Sequence, residues 1–195
     1  MRRLWFGGSF NPIHHGHLLG ARAAAEAAGF DRVVLVPSAL PPHKLGAKEM
    51  ASAEHRLAMC RAAVEGDERF EVDDLELART GPSYTVDTAR QLRRRGWTEV
   101  PWLIGADTVP MLPQWHESDA LLAELTFVVM GRPGHDLDWP SLPDKVRALR
   151  DKVVSGPQIE ISASDIRRRV ATGRPIRYLT PPAVESYIRV NSLYH

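Results

Sequence analysis

The stretch Arg3-Leu4-Trp5-Phe6-Gly7-Gly8-Ser9-Phe10-Asn11-Pro12-Ile13-His14-His15-Gly16-His17 decides the fold. Its apolar run Arg3 to Phe6, broken by two glycines, predicts a buried strand ending in a loop. From Gly16 to Ala28 the residues are strong helix formers, and Gly29 supplies the stop signal. Arg32 to Val36 (RVVLV) then reads as a second buried strand of the kind found in parallel sheets. The first 36 residues therefore spell strand-loop-helix-strand, whose crossover should be right-handed.

Working outward, loop Pro37 to Ala47 precedes a helix at Ser52 to Val64 and a short strand at Phe70 to Val72. A helix at Tyr84 to Arg95 closes at Gly96. Trp102 to Ile104 and Thr126 to Met130 are further strands, and Gln158 to Ile161 a last one. Helices at Ser164 to Ala171, closed by Gly173, and at Pro182 to Val190 complete the pattern. Alternation of this kind predicts an α/β fold, a doubly wound (Rossmann-like) parallel sheet with helices on both faces. Residues 1–195 read as one domain, with 131–155 as a variable insertion. Ligands of such sheets lie beyond the carboxyl ends of the strands. That rule directs attention to Gly7 to His17, Pro37 to Lys44, Gly105 to Trp115 and Ser162 to Arg167.

Composition narrows the classes. The 195 residues carry 25 basic and 24 acidic side chains, a net charge of +1, so bulk charge gives no reason to expect nucleic acid as a partner. One cysteine, Cys60, permits neither an internal disulfide nor a metal knuckle. No stretch is apolar enough for a membrane span, and no signal peptide is read, so a cytoplasmic location is expected.

In the first loop, glycines at a strand end let backbone N–H groups approach a phosphate, and the next helix points its positive end there. The dinucleotide fingerprint G-x-G-x-x-G is missing, and so is a Gly-Lys-Ser/Thr ending. What stands instead is His14-x-Gly16-His17 at the helix start. Two imidazoles three residues apart can face one phosphate and donate to a developing pentavalent phosphorus. The competing reading of a zinc site needs further ligands, which so tight a turn does not bring together. The remaining reading is of incidental loop residues.

Gly7 to His17 resembles the N-terminal signature of the His-x-Gly-His nucleotidyltransferases, above all bacterial nicotinate-nucleotide adenylyltransferases, whose usual form is G-G-T-F-D-P-I-H-x-G-H. Ser9 replaces Thr and keeps the hydroxyl; Asn11 replaces Asp and loses a charge. Pro41-Pro42-His43-Lys44, Gly81-Pro82-Ser83-Tyr84-Thr85 and Gly105-Ala106-Asp107 with Trp115 downstream resemble further family segments. So does Ile161-Ser162-Ala163-Ser164-Asp165-Ile166-Arg167, where the family's usual form is I-S-S-T-x-I-R and Ala163 departs from Ser.

The resemblance implies transfer of AMP from ATP to nicotinate mononucleotide, giving deamido-NAD and pyrophosphate. His14 and His17 would be catalytic. ATP would meet Gly7, Gly8, Ser9, Phe10, His14, His17, Gly105, Asp107, Ser162, Ser164 and Arg167, with Ser164 as the N-cap of a phosphate-facing helix. The mononucleotide would meet Ser9, Phe10, Lys44, Tyr84, Thr85 and Trp115, the last stacking on the pyridine. Mg²⁺ would be bound mainly through ATP phosphates, with no metal site of the protein's own. Arg168 and Arg169 read as solvated. The partners expected are these two small molecules, with a homo-oligomer not readable. The rivals are a relative acting on nicotinamide mononucleotide or another phosphate acceptor, a CTP-using enzyme, a non-catalytic nucleotide sensor and an NAD-dependent dehydrogenase. The missing fingerprint and the missing acidic partner on the second strand disfavour the last.

Overall fold

The computed structural model describes residues 1–42, 49–131 and 137–195. Lys44 lies outside the described residues. Six parallel strands form one sheet: β1 (Arg3–Gly8), β2 (Arg32–Pro37), β3 (Phe70–Val72), β4 (Pro101–Gly105), β5 (Thr126–Met130) and β6 (Val153–Val154). Their spatial order is β3-β2-β1-β4-β5-β6. The order reverses between β1 and β4, and that switch point opens a crevice beyond their carboxyl ends.

Strand alternation sorts the core into two layers. Trp5, Val34, Val36, Trp102, Ile104, Phe127 and Val129 face one side, where they pack with α3 (Thr85–Arg94) and α4 (Ser118–Glu124). Leu4, Phe6, Val33, Leu35, Leu103 and Val128 face the other. There they meet α1 (His15–Ala27), α2 (Ala53–Ala63), α6 (Ala163–Ala171) and α7 (Pro182–Val190). The short helix α5 (Asp144–Arg147) buries Val146 in the first layer. Burial on both faces explains why these strands read as continuous apolar runs.

Two expectations need correction. Gln158 to Ile161 is not a strand; the last strand is Val153–Val154, inside the stretch read as an insertion. The two valines pair with Val129 and Met130 at the open edge of β5. The edge of β5 that Gln158 to Ile161 would need is occupied by Val153 and Val154. Ser164 is not the cap of α6: that is Ser162, whose hydroxyl accepts from the Asp165 amide at 3.2 Å. Ser162 and Ser164 both suit a cap chemically, and the extended backbone of Ser162 decides between them.

Candidate active site

The first loop is built from the inside. A Cβ on Gly7 would meet the Trp102 indole at 2.5 Å, and one on Gly8 the Phe10 ring at 2.9 Å. Both glycines are thus required by packing as well as by any ligand. Phe10 has a left-handed φ of 44° and is 1% exposed. Its ring stands edge-on to Phe6 and to His17, at 5.5 and 5.2 Å. A non-glycine residue in that conformation costs about 1–3 kcal/mol, and its burial helps to offset this. Phe10 can therefore offer a ligand its backbone and little of its side chain.

Asn11, also buried, knots the loop to distant segments. Its Nδ2 donates to the Glu49 carbonyl at 3.0 Å, and its Oδ1 accepts from the Ala51 amide at 3.0 Å and the Tyr194 hydroxyl at 2.8 Å. A carboxylate there would lack the donor for Glu49. The amide, which departs from the usual family residue, thus serves as donor and acceptor at once.

His14 precedes α1 as its N-cap and His17 lies in its first turn. Their rings stack, with centroids 3.6 Å apart. Burial lowers the His14 pKa to about 4, so its imidazole is neutral near pH 7. Among the described residues, His14 Nδ1 has no hydrogen-bond partner. The late motif meets this loop directly. A Cβ on Gly16 would lie 3.4 Å from the Ile161 carbonyl, and Arg167 Nη1 donates to the Asn11 carbonyl at 3.0 Å. Arg167 also pairs with Glu49 at 3.2 Å. Arg168 is exposed and pairs with Asp165 on the same helix, while Arg169 Nε donates to the Pro175 carbonyl at 2.9 Å.

Across the switch point, Asp107 is exposed just beyond β4 and folds back over Gly105, where any Cβ would collide with its carboxylate. Tyr84 caps α3 without a side-chain bond to the first-turn amides, and Thr85 opens the helix. The Tyr84 ring stacks on His116 at 4.0 Å, beside the half-buried Trp115. His116 was not among the sequence candidates, and a lone loop histidine carries no signal that could have found it. Arg56 was missed too: it looks like an ordinary helix residue but is 1% exposed.

A parallel sheet reversing at β1 and β4, a stacked histidine pair in the loop after β1 and an arginine of the late motif bonded to that loop make the arrangement of a nucleotidyltransferase. Consistently, the model of the cytidylyltransferase-like family matches residues 5–169. A protein of Roseiflexus sp. described as "Probable nicotinate-nucleotide adenylyltransferase" is 44% identical, covering 96% of this chain and 95% of that one. A Thermus thermophilus protein of the same description is 44% identical over the whole of both chains. The solved Plasmodium falciparum nicotinic acid mononucleotide adenylyltransferase, complexed with NaAD, superposes with a TM-score of 0.80 at 18% identity, covering 100% of this chain and 98% of that one. The chain belongs to the nicotinate-nucleotide adenylyltransferase family.

Proposed function

We propose that the protein transfers the AMP unit of ATP to nicotinate mononucleotide, releasing pyrophosphate and forming deamido-NAD for NAD biosynthesis. The observation that carries this reading is the His14–His17 stack at the start of α1, with Arg167 of the late motif bonded to the same loop at the Asn11 carbonyl. A phosphate oxygen of the mononucleotide attacks the α-phosphorus of ATP in line, and the bond from that phosphorus to the bridging oxygen of pyrophosphate breaks. No protein base is needed, because a phosphate monoester with a second pKa of about 6 is mostly dianionic at neutral pH.

His14 and His17 donate to the non-bridging oxygens as charge builds there. Gly7, Gly8, Ser9 and Phe10 offer backbone to the α-phosphate. Gly105 and Asp107 face the nucleoside, while Ser162, Ser164 and Arg167 hold the outer phosphates near the start of α6. Lys44 takes the mononucleotide phosphate. Tyr84, Thr85 and Trp115 enclose the pyridine, with His116 as an added neighbour.

Mg²⁺ carried by the ATP phosphates would supply charge neutralisation of the pyrophosphate leaving group. Among the described residues no three side chains of metal-binding type cluster. Mg²⁺ keeps several waters and few protein ligands, so the reading leaves its binding to the nucleotide's phosphates. We read the chain as one domain. No described helix is long and apolar enough to cross a membrane, and a cytoplasmic setting fits the substrates.

Pyrophosphate release, measured with ATP or CTP against nicotinate mononucleotide, nicotinamide mononucleotide and phosphopantetheine, tests the reading. Turnover with ATP and nicotinate mononucleotide is expected to exceed every other pair. Release only with CTP or only with phosphopantetheine overturns it.

A further inference from the structure

Arg56 sits in α2 with its guanidinium inside the protein. It is an arginine without a carboxylate among its described hydrogen-bond partners; what it holds is main chain. Nη1 donates to the Ser9 carbonyl at 2.7 Å, Nη2 to the Ala39 carbonyl at 3.0 Å and Nε to the Ala51 carbonyl at 3.0 Å. These belong to the loop after β1, the loop after β2 and the turn entering α2.

The link continues beyond Ala39. Leu40 and Ser83 exchange two hydrogen bonds, the Leu40 amide to the Ser83 hydroxyl at 3.2 Å and the Ser83 amide to the Leu40 carbonyl at 2.9 Å. Ser83 directly precedes Tyr84 and the start of α3. One planar, rigid fork of donors thus spaces the histidine loop from the loop rooted at Ala39. Through a single further residue it also spaces the loop that opens α3. A guanidinium suits this task because its donors diverge in fixed directions, whereas an ammonium is a single point.

We propose that Arg56 is a positioning residue for adenylyl transfer, setting the distance between the loop where the α-phosphate reacts and, through Ala39, Leu40 and Ser83, the loop opening α3 that holds the pyridine. The proposal rests on the functional reading above. A merely structural arginine would change the amount and stability of folded enzyme, leaving the kinetic constants of the folded fraction alone. A positioning arginine changes those constants, and unequally for the two substrates.

The experiment compares wild type with Arg56→Met, which keeps volume without donors, and Arg56→Lys, which keeps charge with fewer directions. Folding is checked by circular dichroism and thermal melts. For the folded Met variant, we expect KM for nicotinate mononucleotide to rise and kcat to fall, each roughly tenfold or more, while KM for ATP stays within about threefold. Arg56→Lys should lie between. In Arg56→Ala, millimolar guanidinium ion, well below denaturing concentrations, should restore part of the mononucleotide KM.

A folded Met variant with all three constants within about threefold of wild type overturns the proposal, as does an equal loss for both substrates. If the Met variant does not fold, the same criteria apply to Arg56→Lys. A wild-type protein that turns over no pyridine mononucleotide would instead sink the functional reading, before any variant is made.

Discussion

The imidazoles of His14 and His17 lie nearly parallel, inclined by 23° with centroids 3.6 Å apart, one ring buried and the other partly exposed. Two cations could not stack so closely without an anion between or beside them. Burial disfavours a proton on His14, and the phosphate proposed to bind beside the pair would favour one.

His17→Ala should lower kcat by roughly a hundredfold or more, the scale of a lost transition-state donor, with the fold retained. Steady-state pyrophosphate release together with far-ultraviolet circular dichroism checks this. Turnover within a few-fold of wild type would remove His17 from the chemistry.

The buried His14 also makes stability depend on pH. Its folded pKa of about 4 lies below the ordinary value of 6.5, so between these limits the unfolded chain binds the extra proton. Stability is complete above about pH 6.5 and falls as pH drops toward 4, by at most about 3 kcal/mol from this one group. Urea unfolding at pH 7.5 and pH 4.5 should show the loss in wild type and less of it in His14→Gln. Equal pH dependence in both would assign the effect elsewhere.

Arg167 already has partners, the Asn11 carbonyl and Glu49. Its alanine variant should weaken ATP by roughly 1.5–3 kcal/mol, the scale of a charge-assisted hydrogen bond, and the mononucleotide by less. Glu49→Gln should leave ATP binding equal or tighter, because the carboxylate that competes with phosphate is gone. Separate titrations of each substrate by calorimetry decide both points, and a loss confined to the mononucleotide would reverse the assignment.

Nicotinate mononucleotide should be preferred to the nicotinamide form on the order of a hundredfold in kcat/KM. The first-turn amides of α3 receive no capping bond from the Tyr84 side chain and favour an anion. A carboxamide NH₂ turned toward two such donors would leave them unmet, at about 1–3 kcal/mol each. Parallel assays of the two mononucleotides at fixed ATP and Mg²⁺ give the ratio, and a value near one refutes the reasoning.

Much of this architecture was legible in the chain because its signals are local. The apolar runs of β1, β2, β4 and β5 are long and uniform, and the Gly7 to His17 loop carries its chemistry in consecutive residues. β6 was misplaced because two valines give no periodicity, and the edge of β5 selects them only in three dimensions. Ser162 and Ser164 are equally good caps by type, so backbone geometry alone could separate them. Arg56, His116 and Tyr194 were silent for a further reason. Each matters through partners far along the chain, and no spacing in the sequence encodes the 183 positions between Tyr194 and Asn11.

That last separation reaches into synthesis. A ribosome adding roughly 5–20 residues per second delivers Tyr194 on the order of ten seconds or more after Asn11. Arg167, which donates to the Asn11 carbonyl of this loop, also emerges late. Until then the loop's ties are the earlier ones, to Glu49, Ala51 and Arg56. Tyr194 and Arg167 reach the loop only once all six strands, the last of them Val153–Val154, have been synthesised.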